Sequence, residues 1–176
     1  MLTKNFKSVM KGILLSPFNK SCIPVKSTSG IQGYLKPGIG TGCFPGYQFN
    51  TVNVTNNYYN CSIVLGSGNT QPTEDDYILT NKITSGLTVG SVTVNLNIDS
   101  DGNPYKEFIF LVTNTSQDAI SIREIGYVGQ LDAPDTVGSN STSISSYLLD
   151  HSLLDTPVTI QPSESSAIKY VLKSNI

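Results

Sequence analysis

The stretch SVTVNLNI, residues 91–98, decides the fold class. Val92, Val94, Leu96 and Ile98 alternate with Thr93, Asn95 and Asn97. Successive side chains of a strand point to opposite faces, so this pattern predicts a β-strand with one buried and one polar face. DSDGNP (99–104) then supplies turn residues, and KEFIFLVTN (106–114) returns as a partner strand. The pair reads as a hairpin.

The same signals continue on both sides. After a turn at TSQD (115–118), AISIREIGYVG (119–129) forms the next strand. Ile120 and Ile122 alternate but Ile125 is out of phase, which predicts a bulge near Arg123 and Glu124. APDTVGSNSTS (133–143) is a polar loop. PVTIQPSESSAIKYVL (157–172) reads as two strands around a turn at Pro162 and Ser163, with Ile168, Tyr170 and Leu172 alternating. Upstream, YQFNTVNV (47–54) has Tyr47, Phe49, Val52 and Val54 at strand-like spacing, and CSIVLGSG (61–68) is a short apolar run ending in glycines. PTEDDYIL (72–79) fits a single helical turn, with Thr73 as N-cap and Asp76 at N3. Strands spaced about ten residues apart indicate an all-β antiparallel β-sandwich, Ig-like or jelly-roll-like.

The first residues differ. In MLTKNFKSVMKGILL, residues 1–15, Leu2, Phe6, Val9, Met10, Ile13 and Leu14 form a stripe of helical period, and Pro17 stops it. An isolated helix of that length is marginal in water, so the amphipathic stripe must dock on its own domain or on a partner. Residues 16–47, with GYLKPGIGTGCFPG (33–46), read as an extended arm. The organisation expected is therefore a helix and arm over 1–47 and a sandwich over 48–176.

Composition excludes several function classes. The 176 residues carry a net charge of -2, and only 14% are charged. No basic run suggests direct contact with nucleic acid. No apolar run approaches the roughly 20 residues of a membrane span, and GILL (12–15) is too short for a signal-peptide core, so a soluble, non-secreted protein is expected. Cys22, Cys43 and Cys61 are far apart and form no CxxC pair, which favours free thiols over zinc. The glycine run lacks a P-loop's GK[ST] ending and a dinucleotide site's GxGxxG spacing. No cofactor is expected.

The candidates for chemistry are few. Asp99, Asp101 and Asn103 have the alternate spacing of a calcium loop, but Pro104 stands where that loop needs glycine, and Phe110 stands where it needs glutamate. Glu74, Asp75 and Asp76 are adjacent acids that read as solvated. SESS (163–166) lacks the GxSxG elbow. The one histidine, His151, lies between Asp150 and Ser152 with Asp155 nearby. These are the residue types of a catalytic triad, but no elbow or oxyanion loop accompanies them, so His151 reads as a surface or interface residue on a connection and the chain as no enzyme.

Two stretches together resemble structural proteins of tailed-bacteriophage virions. IVLGSGNTQPTEDDYIL (63–79) is similar to a phage pattern of apolar strand, Gly-x-Gly, a Thr/Pro pair, then Asp and Leu. SSYLLDHSLLDTPVTIQPSESSAIKYVL (145–172) resembles the terminal segment of such proteins, and FIFLVTNTSQDAISIREIGYVG (108–129) resembles the paired strands between them. Ser163 stands where the pattern favours Gly, and His151 where Arg is common. The resemblance spans roughly 48–172 and implies a virion component without enzymatic function; assembly in multiple copies at the tail or neck is the leading expectation. Its partners would be other virion proteins and its own copies, met through Leu2, Phe6, Val9, Met10, Ile13 and Leu14 and through strand edges. Capsid decoration, a head fibre, or a receptor- or carbohydrate-binding tip using tyrosines such as Tyr58 and Tyr59 are the alternatives.

Overall fold

A computed structural model describes residues 1–8, 23–35, 61–132 and 144–173. The fold is all-β and antiparallel. A hairpin of β1 (Ile23–Lys26) and β2 (Gln32–Leu35) precedes two three-stranded sheets. The first sheet has the order β3 (Cys61–Gly66), β6 (Ile120–Asp132), β7 (Ile144–Ile160). The second has the order β4 (Leu87–Ile98), β5 (Pro104–Asn114), β8 (Ser165–Lys173).

The two sheets share one apolar core. Phe108, Phe110 and Val112 of β5 and Ile168 and Tyr170 of β8 meet Ile122, Ile125 and Tyr127 of β6 and Tyr147, Leu149 and Ile160 of β7. The Phe108 ring lies 5.7 Å from that of Tyr127 and 5.6 Å from that of Tyr170, so aromatic contact spans both sheets. A smaller cluster of Leu79, Val128 and Leu148 lies on the opposite face of the first sheet. A Cβ at Gly126 would come within 2.7 Å of Leu148 and 2.8 Å of Val64 there, so only glycine fits.

The hairpin at 91–114 forms as expected. Asp99 closes its turn by accepting from the amides of Asp101 and Asn103, and Gly102 takes φ +84°. Those bonds, Asn103 first, hold the Asp99 carboxyl below its ordinary value. One expectation needs correcting. Val94, Leu96 and Ile98 share a face with Phe108, but Leu96 is 77% and Ile98 73% exposed. Their end of the hairpin receives no cover comparable to that over Phe108.

The expected bulge is present, with its extra residues on the partner strand. Pairing jumps from Ile122↔Val158 to Glu124↔Leu153, leaving Leu154–Pro157 to be accommodated by β7. A bulge tolerates Pro157, which cannot donate to a ladder. A second shift, from Tyr127↔Asp150 to Val128↔Leu148, adds Leu149. Asp150, His151 and Ser152, read from sequence as lying on a connection, therefore sit in the middle of a 17-residue strand. The turn at Gln161–Glu164 closes with the Glu164 amide donating to the Gln161 carbonyl, and Ser163 takes φ +63°.

The N-terminal residues dock on the sheets, and part of the expected arm is a hairpin. Residues 4–8 form a helical turn; Val9, Met10, Ile13 and Leu14 lie outside the described residues, as do Tyr47 to Val54 and Tyr58 and Tyr59. Leu2 bridges Asp150, and the Thr3 amide donates to the Leu149 carbonyl at 3.0 Å. Thr3 Oγ1 donates to the Leu148 carbonyl at 2.6 Å, and Asn5 Nδ2 reaches the carbonyls of Lys26 and Leu148. Phe6 packs against the main core, and Val25 of β1 is part of it. Part of the arm is thus a hairpin tied into the domain, because Val25 and Asn5 each have a buried partner to meet.

Residues 1–8 cover the outer edge of β7, and their removal strips several buried hydrogen bonds worth about 1 kcal/mol each. Deleting them is expected to cost about 3 kcal/mol or more in urea unfolding; an unchanged midpoint would show that the segment contributes nothing to the fold.

Candidate functional site

The second bulge decides where the histidine points. With Leu149 inserted, Leu149 lies in the main core, Asp150 pairs with Tyr127, and His151 pairs with Gly126 on the opposite face. Bulges re-aim side chains in this way. His151 is 1% exposed, which corrects the surface reading.

His151 lies between two carboxylates. Its Nδ1 is 2.6 Å from Asp76 Oδ2, and its Nε2 is 2.9 Å from Glu124 Oε2. Glu124 is fully buried. Its Oε1 accepts from the amides of Gly68 (3.0 Å) and Asn81 (2.8 Å), and Oε2 accepts from the Thr80 amide (3.2 Å). Four hydrogen bonds therefore reach one carboxyl group. Asp76 also accepts from the amide and the hydroxyl of Thr73. Each ring nitrogen of His151 thus shares a hydrogen bond with one carboxyl group.

The glycines of GSG make this possible. A Cβ at Gly66 would lie 2.4 Å from Glu124 Oε1, and one at Gly68 2.6 Å from it. The cluster binds residues 67–82 over the outer face of the first sheet, where Leu79 completes the small cluster. Within that segment 74–76 makes a turn rather than a helix, although the Thr73–Asp76 bond of a capping box forms.

The three adjacent acids are all engaged. Glu74 pairs with Lys7, Asp75 with Lys4, and Asp76 with His151. Lys26 lies 3.8 Å from the centre of the Tyr77 ring. The three lysines, the three acids and Tyr77, but not His151, border a cleft of about 470 Å³ between the N-terminal turn, β1 and the 74–77 turn. Asp150 forms a second polar centre. Tyr170 donates to its Oδ2 at 2.5 Å, Ser152 Oγ donates to the same oxygen at 2.8 Å, and the Met1 ammonium lies 3.0 Å from Oδ1. Burial, then the Asp150 charge, pushes the Tyr170 hydroxyl well above its ordinary value.

The chemistry open to this arrangement is narrow. Both His151 nitrogens are committed to carboxylates, and Ser152 donates to Asp150, so no serine–histidine pair forms. Asp155 is exposed and pairs with neither. Among the described residues no group of His, Cys, Asp and Glu could hold a metal ion. Of the docking stripe, Leu2 bridges Asp150 and Phe6 packs against the main core, and the other four residues lie outside the described residues. Sequence reasoning missed Glu124 and Asp76; the signal available was a charged residue inside an apolar strand and a Gly-x-Gly opposite it.

Two expectations follow. Replacing His151 with Ala removes both hydrogen bonds and leaves Glu124 and Asp76 facing a void, and should cost about 3 kcal/mol in urea unfolding; a change under about 1 kcal/mol would mean the bonds contribute little. The second concerns pH. Burial opposes ionisation of Asp76, but the Thr73 amide, His151 and the Thr73 hydroxyl together outweigh it, so its carboxyl titrates below the ordinary 3.8. The stability this group contributes is complete above 3.8 and disappears as pH falls through the lower native value. The fall in unfolding midpoint from near pH 7 to about pH 3 should therefore be smaller in Asp76→Asn; an identical fall would exclude Asp76 as a contributor.

No family model matches the chain, and neither a curated protein nor a solved structure does.

Proposed function

We propose that the chain is a non-enzymatic structural component of a tailed-phage virion. In this reading it is an antiparallel β-sandwich of Ig-like or jelly-roll-like kind. Several copies assemble at the tail or neck through the N-terminal segment and the sheet edges, and the protein resides in the particle.

The observation that carries the proposal is how the resembling residues are used. The two stretches meet in one cluster: Gly66, Gly68, Asp76 and Leu79 from the first, Leu148 and His151 from the second. Each holds residues 67–82 against the sheet, and none offers a free nucleophile or base to solvent. A pattern spent on architecture suits a particle module better than an enzyme. Ser163 adds to this. It stands where the phage pattern favours Gly, and it is the one non-glycine residue with positive φ among the described residues. The third position of such a turn asks for glycine on backbone grounds alone.

The test is composition of the particle. Virions of the phage whose genome encodes this chain are purified and their proteins quantified by mass spectrometry. The chain should be present in several copies per particle, and a map of the particle should place it at the tail or neck. Its absence from purified virions, with the protein plentiful in the lysate, would overturn the proposal.

A further inference from the structure

The sheet edges are unequally protected. The outer edge of β7 is covered by residues 1–3 and by the Thr28 amide, which donates to Ser146. The end of β3 is covered by 81–83, through Ser67 to Asn81 and Ile83 to Leu65. The edge strand β8 carries Lys169 and Lys173. β4 is different. It is 12 residues long and contains no ionisable side chain and no proline. β5 is its only partner strand among the described residues, and from Val92 to Ile98 that pairing runs without a register break. Long, uncharged, regular edges are templates for further pairing, and proteins usually blunt them with charge, proline or a bulge. The bulge between Val89 and Val92 disturbs only the first part of β4.

We propose that residues 92–98 form a self-complementary edge, and that its occupant is the same strand of a second copy, joined antiparallel about a two-fold axis at Asn95. The proposal deepens the assembly reading by naming the edge and the partner. Its register argues for a like copy. A two-fold at Asn95 places Val94 opposite the partner's Leu96, and Val92 opposite the partner's Ile98. Thr93 falls opposite the partner's Asn97, and Asn95 opposite itself. Apolar meets apolar on one face and polar meets polar on the other. A slip of one residue would set Val94 against Asn97 and lose the match. Because the strand is uncharged, no like charges oppose each other across the axis. Leu96 and Ile98, 77% and 73% exposed, gain the partner's Val94 and Val92 as neighbours. The product is a continuous six-stranded sheet with an isologous interface.

Sedimentation equilibrium of the full chain tests this. The wild type should fit a monomer–dimer equilibrium, and Leu96→Lys or Ile98→Lys should weaken it at least about tenfold. Both sites are exposed, so melting temperatures should stay near wild type. Leu111→Lys, at a 49% exposed position of the central strand, should leave the dimer intact. A wild type that is monomeric throughout overturns the pairing, as does a dimer that Leu96→Lys and Ile98→Lys leave unchanged or that Leu111→Lys weakens equally. A monomer that enters virions overturns this edge and leaves the particle reading standing. A dimer absent from virions does the reverse.

Discussion

The carboxylate of Glu124 is the constraint on which the candidate site depends. A carboxyl with no access to water is tolerable only when its oxygens are hydrogen-bonded. Here three backbone amides donate to it and a ring nitrogen of His151 completes the set. The amides come from residues 68, 80 and 81, so one side chain gathers both ends of a surface segment. Gly66 and Gly68 are required because any side chain would occupy the space of the carboxylate. The other ring nitrogen of His151 meets Asp76, which fixes the turn around it. That turn sets Glu74 and Asp75 beside Lys7 and Lys4. A buried carboxyl thereby organises groups out to the solvent, with backbone amides supplying three of its hydrogen bonds.

The bulges of β7 make this compatible with a shared core. Without the Leu149 insertion, alternation would turn His151 inward toward Phe108 and Tyr127. With it, β7 serves two faces: Tyr147 and Leu149 enter the main core, Leu148 enters the small outer cluster, and His151 faces Glu124. The first sheet is thus apolar on both sides over part of its area. This explains why β6 reads IREIGYV rather than as a clean alternation: Ile125 and Tyr127 serve one side, Glu124, Gly126 and Val128 the other.

Much of the fold was legible where pattern is local. The hairpin at 91–114, the turn at Pro162 and Ser163, and the disturbance at Arg123 and Glu124 each follow from neighbouring residues. The site was hardly legible. His151 finds Glu124 27 residues away and Asp76 75 residues away, and neither separation leaves a periodic trace. Local polarity around DHS suggested solvent, whereas burial came from distant donors and acceptors. The hairpin at 23–35 was hidden for a related reason: Pro24, Gly30 and Gly33 imitate an open arm, while its tie to the domain rests on Val25 and on Asn5. Conversely, alternation alone suggested that Leu96 and Ile98 would be buried. It specifies which face they share, but not how far that face is covered.

The pairing of residues 1–3 with β7 has a consequence for how the chain reaches its native state. Thr3 bonds to Leu148 across 145 positions of sequence. On the ribosome, the early residues are exposed well before their strand partner has been made. Closing so long a loop is slow, and it becomes favourable only once β6 and β7 have paired. The final fastening of the domain is therefore a late event, and a nascent chain halted before β7 keeps its first segment unattached.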